Sequence, residues 1–293
     1  MTDARALGAA RPRELEDPLN FHVYHPLAWR LASALARTSA TPNMVSVVGG
    51  LSVVAAGVAY AGPLWGFAWP ASAGLGMALH LAWHVIDGAD GDLARMTGRS
   101  SPRGEMVDGL CDYLSHIVLY ALLAALLSRE IGGAAWFVAT AAGVAHAFQA
   151  NHVETQRRFY LHWVYGKPWL ANAAPDVSGP FAWLVALYLR FGVGLSPHAP
   201  AIDRAVTAAA DDPARLEKLR SLVRAEWAPL IALEKWLGPN QRAIALGTSM
   251  LVTQSPLAYF AFGGVWLTAL LAVSVVAHDR AARRLAARIA SLG

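Results

Sequence analysis

The chain has 293 residues, of which 56% are hydrophobic and only 15% charged, against roughly 25% charged in soluble globular proteins. Mean hydropathy is +0.37, so the composition argues against a soluble enzyme and for an integral membrane protein. The net charge of +4 and pI of about 9.4 fit Lys and Arg gathered on cytoplasmic loops rather than a nucleic-acid surface, and the single cysteine, Cys111, excludes an internal disulfide.

Residues 1–17 read as a flexible polar tail with no apolar core for a signal peptide. Leu19–Arg37 places Leu27, Leu31 and Leu35 at helical spacing with Trp29, Arg30 and Arg37 around them, which predicts an amphipathic helix lying in the membrane interface. Thr41-Pro42 is a helix start, with the hydroxyl as cap and the proline in the first turn. Six apolar runs follow near 43–61, 66–86, 107–127, 131–150, 241–256 and 258–277. Most approach the roughly 20 residues that a spanning helix needs. Between the fourth and fifth lies an insertion, 151–240. It holds a short apolar stretch, Phe181–Leu189, too short to span. It also holds an Asp212-Pro213 helix start and an apolar stripe of Leu216, Leu219, Val223, Trp227 and Leu230. The aromatic group Phe159, Tyr160, Trp163, Tyr165 and Trp169 reads as an interfacial belt. A basic helix with Arg280, Arg283, Arg284 and Arg288 closes the chain and suits anionic headgroups.

The expected fold class is therefore all-α: an integral membrane protein with six transmembrane helices, an N-terminal amphipathic interfacial helix and a cytoplasmic helical insertion. Its expected divisions are 1–40 (tail and juxtamembrane helix), 41–150 (transmembrane helices 1–4), 151–240 (insertion), 241–277 (transmembrane helices 5–6) and 278–293 (basic tail). With the N-terminus inside, all but one of the 24 Lys and Arg residues fall on the inner side, the exception being Arg129. That asymmetry places the N-terminus in the cytoplasm, and a bacterial-type inner membrane is the expected location.

The chemistry concentrates in Asp87-Gly88-Ala89-Asp90-Gly91-Asp92-Leu93-Ala94-Arg95, continued by Gly104, Asp108 and Asp112, a pattern D-x2-D-G-x2-A-R-x8-G-x3-D-x3-D. Asp87 and Asp90 lie three residues apart, Asp108 and Asp112 four apart, so on helices each pair shares a face. Two helices joined near Thr97–Arg103 would turn four carboxylates into one cleft, and crowded carboxylates stay ionised only around a cation. Hard divalent ions with oxygen ligands fit that set. Gly91, Ala94 and Gly104 keep the facing surface low, and Arg95 offers a planar fork to phosphate oxygens. Acidic pairs near helix ends are commonly mere solvated charges; four at this spacing, with small residues between, point to a diphosphate site.

This pattern resembles the signature of the CDP-alcohol phosphatidyltransferase family, with every fixed position filled. The number of apolar segments and the Thr41-Pro42-Asn43 triplet are also similar to that family. The resemblance implies transfer of a phosphatidyl group from a CDP-linked lipid such as CDP-diacylglycerol to an alcohol, releasing CMP, in phospholipid biosynthesis. It implies two Mg²⁺ or Mn²⁺ ions on Asp87, Asp90, Asp108 and Asp112, with Asp112 also the general base. It further implies a nucleotide and diphosphate seat of Gly91, Ala94, Arg95, Ser101, Gly104 and Asn43, and a homodimer among membrane lipids. Two alternatives stay open: CDP-choline- or CDP-ethanolamine-type transfer to diacylglycerol, and a divalent-cation transporter with intramembrane aspartates. His80 and His84, four apart and leading to Asp87, would be a His/His/Asp metal site on a further reading; His146, His152 and Glu154 read as substrate-path or interface residues, and Arg157-Arg158 as headgroup anchors or anion ligands.

Overall fold

A computed structural model describes residues 12–167 and 190–291, and among them every regular element is helical. The main helices are α1 (His25–Leu35), α2 (Pro42–Tyr60), α3 (Ala71–Met96), α4 (Pro102–Ile131), α5 (Ala134–Tyr165), α6 (Ala199–Ala208), α7 (Pro213–Glu234) and α8 (Pro239–Thr253). A last helix, α9 (Leu257–Ala290), carries a π-turn at Phe262–Trp266. Phe181–Leu189, Trp169 and the first residues of the tail lie outside the described residues.

Three helices start on the same device. Thr41 caps α2 by accepting from the Met44 amide at 3.3 Å, Ser101 caps α4 by accepting from the Gly104 amide at 3.1 Å, and Asp212 caps α7 by accepting from Ala214 and Arg215. A proline follows each cap at the first helical position, where no amide is missed. α3 ends at Gly98, whose φ of +66° lets the Arg99 amide reach back to the Ala94 carbonyl at 2.8 Å.

Three described helices are long and apolar enough to cross a membrane: Pro42–Tyr60, Arg103–Ile131 and Leu257–Ala290. The second apolar run becomes α3, whose 26 residues carry Asp87, Asp90, Asp92 and Arg95 in their last turns. The fourth run extends well past 150 to Tyr165. The fifth yields a 15-residue helix, about 22 Å at 1.5 Å per residue and short of a bilayer core of about 30 Å.

The described chain divides into two compact units. One comprises residues 16–146 and 239–266; the other comprises the described parts of 12–15, 147–238 and 267–291. The core of the first packs Val53, Tyr60, Trp83, Leu119, Leu246 and Phe260 from five helices. Small residues bring α2 against its neighbours: a Cβ on Gly50 would lie 3.3 Å from the Cys111 carbonyl oxygen, and one on Gly57 3.2 Å from the Leu119 Cα. α1 packs on α3 through Ala28 and Ala32, both fully buried beside Ala89 and Leu93, while Leu27 is exposed. Of the leucines spaced along this helix, Leu31 and Leu35 pack beside those alanines, partly buried.

Gly76 makes the tightest aromatic contact in this unit. A Cβ there would meet the buried Tyr60 ring at 2.6–2.8 Å. Overpacking of this kind costs about 1–3 kcal/mol, against a helix-propensity gain of about 1 kcal/mol for Ala over Gly. Gly76→Ala is expected to melt at lower temperature in detergent; an unchanged or raised midpoint would refute the packing.

The second unit is built on Tyr160, Trp163, Ile202, Val223, Trp227 and Leu285. Phe159, Tyr160 and Trp163 are therefore core residues, not a belt: Phe159 stacks on Trp163 at 4.8 Å, and Trp163 meets Trp227 edge-on at 5.2 Å. The predicted stripe on α7 supplies the facing side through Leu219, Val223 and Trp227. The tail is held in part, since Glu14 accepts from the Tyr160 and Tyr165 hydroxyls at 3.1 and 2.5 Å.

Candidate active site

The last turns of α3 and the first turns of α4 carry the motif, joined by residues 97–101. Carboxylate oxygens of Asp87, Asp108 and Asp112 lie within 4.8 Å of one another. Asp90 adjoins them, its carboxyl within hydrogen-bonding reach of that of Asp108. All four aspartates thus belong to one connected cluster. Two carboxyl groups this close require a proton or a cation between them. The donors are oxygen only and come from two helices, a set that fits a hard divalent ion.

The cluster is braced by side chains that the motif does not contain. Ser46, on α2, donates to Asp90 Oδ2 at 2.5 Å and is itself buried. Trp83, one turn before Asp87 on α3, donates its indole N–H to Asp112 Oδ1 at 3.3 Å. Gly49 on α2 faces the same turn, its Cβ position 3.6 Å from both Trp83 and Ile86, an ordinary contact distance. Neither brace had a sequence signal, because each acts between helices. The serine and tryptophan spacing relative to the aspartates became meaningful only once the helices were placed.

Arg95 pairs within its own helix. Its guanidinium turns back along α3 and donates to Asp92 Oδ1 at 2.6 Å, with Asp92 1% exposed and Arg95 42% exposed. A Cβ on Gly91 would sit 3.4 Å from that guanidinium, so Gly91 leaves room for the arginine itself. Ala94 is half-buried on the same helix. Ser101 is occupied as the cap of α4, and the Gly104 Cβ position lies 3.3 Å from Ser101 Oγ and 3.8 Å from Asn43 Oδ1. Asn43, Ser101 and Gly104 are therefore brought together, while Gly91, Ala94 and Arg95 form a second group with Asp92. Asp92 was missed in the sequence because it stands at a variable position of the pattern.

His80 and His84 do not join Asp87 in a ligand set among the described residues. His84 Nδ1 lies 3.2 Å from the His80 carbonyl, and its ring packs on Tyr24 at 4.8 Å. Both histidines are buried in a layer with His116 and His146, where Arg242 is 3% exposed and an electrostatic neighbour of Tyr120 and Tyr259. His116 Nδ1 lies 2.8 Å from the Asp112 carbonyl, which links this layer to the cluster. In the other unit, Glu154 accepts from Arg157 at 2.7 and 2.9 Å and from Arg158 at 2.5 Å. Burial alone would raise the Glu154 carboxyl, but the two guanidiniums outweigh it and hold it down to about 2.

Residues 39–174 match the family described as CDP-alcohol phosphatidyltransferase. Over 97 residues the chain is 37% identical to archaetidylinositol phosphate synthase of Aeropyrum pernix, a match covering 33% of this chain and 46% of that relative. The chain thus spans just under half the length of the curated relative that it matches. The matched family stretch contains the whole carboxylate cluster together with Asn43, Ser46 and Trp83.

Proposed function

On the premise that residues 39–174 form a CDP-alcohol phosphatidyltransferase domain, we propose that this protein transfers the phosphatidyl group of a CDP-linked lipid to an alcohol and releases CMP. The convergence of Asp87, Asp108 and Asp112 within that stretch, with Asp90 against Asp108, carries the reading. Asp87, Asp90, Asp108 and Asp112 would hold two Mg²⁺ or Mn²⁺ ions. Bound there, divalent ions neutralise charge on the diphosphate and on departing CMP. Asp112 takes the proton of the acceptor hydroxyl as general base, with Trp83 fixing its other oxygen. The acceptor oxygen bonds to the lipid-bearing phosphorus, the bond from that phosphorus to the bridging oxygen breaks, and the electron pair leaves on CMP. Gly91, Ala94 and Arg95 seat the diphosphate, Arg95 exchanging part of its bond to Asp92 for phosphate oxygens. Asn43, Ser101 and Gly104 lie at the nucleotide end.

The protein works within a membrane as a bundle of six segments, the short α8 being accommodated by local thinning of the bilayer. The N-terminus and the aspartates face the cytoplasm, α1 lies at the interface, and two chains associate. The divisions at 40, 150, 240 and 277 follow the same topology. The relative's name puts a phosphorylated polyol first among acceptors. Purified protein with CDP-diacylglycerol should release CMP with one of inositol phosphate, inositol, glycerol 3-phosphate or serine, only when Mg²⁺ or Mn²⁺ is present. CMP formation only from CDP-choline and diacylglycerol would reverse donor and acceptor. Metal uptake into vesicles without CMP release would replace the enzyme with a transporter.

Ser46 gives a sharper test of the metal assignment. A hydrogen bond to a charged group contributes about 1.5–3 kcal/mol, or about 10- to 100-fold in an equilibrium. Ser46→Ala is expected to raise the divalent-ion concentration for half-maximal CMP release about tenfold or more, with recovery at saturating metal. An unchanged metal requirement would remove Asp90 from the ligand set.

A further inference from the structure

A second group of convergent donors lies in the other unit, outside the matched motif and unused by the reaction. His152 on α5, Glu234 at the end of α7, and Ser274 and His278 one turn apart on α9 are all at most 2% exposed. His152 Nε2 lies 3.1 Å from Glu234 Oε1, and His278 Nδ1 lies 3.8 Å from the same oxygen. Ser274 Oγ is 3.0 Å from His152 Nε2, 3.2 Å from Glu234 Oε1 and 3.3 Å from His278 Nδ1. The two imidazole nitrogens and the carboxylate oxygen all fall within 4.8 Å of one another.

Five of the six separations among these four atoms are thus 3.0–3.8 Å. An ion with ligand bonds of about 2.0–2.2 Å separates its tetrahedral ligands by about 3.4 Å, and the five separations above bracket that value. The hydrogen bonds within the group, which include His278 Nδ1 at 3.0 Å from the Ser274 carbonyl, leave buried outer atoms unpaired. Glu234 Oε2 has no hydrogen-bond partner although its residue is 2% exposed, and the carboxyl stands at a helix C-terminus, where the helix dipole disfavours negative charge. A cation among the four inner atoms offsets that buried negative charge.

We propose that His152, Glu234, Ser274 and His278 form a metal site for a zinc-class divalent ion, which clamps α5, α7 and α9 together. Two imidazoles and a carboxylate are borderline ligands that prefer Zn²⁺ or its neighbours, in contrast to the oxygen-only aspartate cluster. Full burial makes the site structural and loaded as the chain folds. The assignment is independent of the proposed transferase reaction.

The test uses the untagged full chain, expressed with zinc in the medium and purified without chelator. One zinc per chain is expected, retained through a brief chelator wash that strips Mg²⁺ from the aspartates. Growth with Co²⁺ in place of zinc should give the visible ligand-field absorption of a tetrahedral ion. Asp108→Ala should keep this absorption, whereas Glu234→Gln and His278→Gln should lose it. Wild-type protein with substoichiometric zinc and no Co²⁺ absorption would overturn the site even if the variants failed to fold. Retention of the absorption in both glutamine variants would equally overturn it.

Discussion

Replacing Asp108 with alanine is expected to abolish CMP release. Asp108 is the junction of the carboxylate cluster: its oxygen lies within 4.8 Å of those of Asp87 and Asp112, and its carboxyl meets Asp90 as well. Its removal takes out the carboxylate that adjoins Asp87, Asp112 and Asp90 alike. Divalent-ion stabilisation of a displacement at phosphorus amounts to several kcal/mol, so the loss should be about 10³-fold or more. The fold should persist, since Asp108 is half-buried at the start of α4 and outside the apolar core. Turnover measured at saturating Mg²⁺ or Mn²⁺, with donor saturating, decides the matter; normal turnover in Asp108→Ala would remove the cluster from the reaction.

Asp112→Asn should separate binding from transfer. Asparagine keeps the shape and an amide oxygen able to accept from the Trp83 indole, which donates to Asp112 Oδ1 at 3.3 Å in the native protein. The side chain is thus expected to keep its orientation while losing its capacity to take a proton. Loss of a general base costs about 10²–10⁴ in rate. CDP-diacylglycerol affinity, measured by equilibrium binding, should change far less than kcat. A larger loss of donor affinity than of rate would make Asp112 chiefly a metal ligand. Combining Asp112→Asn with Trp83→Phe refines the test, because the indole should matter less once the residue it orients no longer takes a proton.

The carboxylate site was largely legible in the sequence because its geometry is local. Spacings of three and four fix which side chains share a helix face, and α3 and α4 obey them. The caps at Thr41 and Asp212 were legible for the same reason, as each is decided within one turn. Composition and the lengths of the apolar runs likewise fixed the helical class. The cap at Ser101, which accepts from the Gly104 amide, is equally local.

Only the tertiary structure decided which face meets which. Ser46 and Trp83 reach the aspartates from other turns and another helix. Arg95 turns to Asp92 because a buried carboxylate three residues away on the same helix is its nearest counter-charge. The aromatic group at 159–163 became core rather than belt because α7 lies against it with Val223 and Trp227. His152, Glu234 and His278 stand 82 and 44 residues apart in the chain, and no periodicity links them. A helix pattern encodes the direction of each side chain about its own axis; the partner across the interface is set by packing between distant segments, and that information exists only once the helices are assembled.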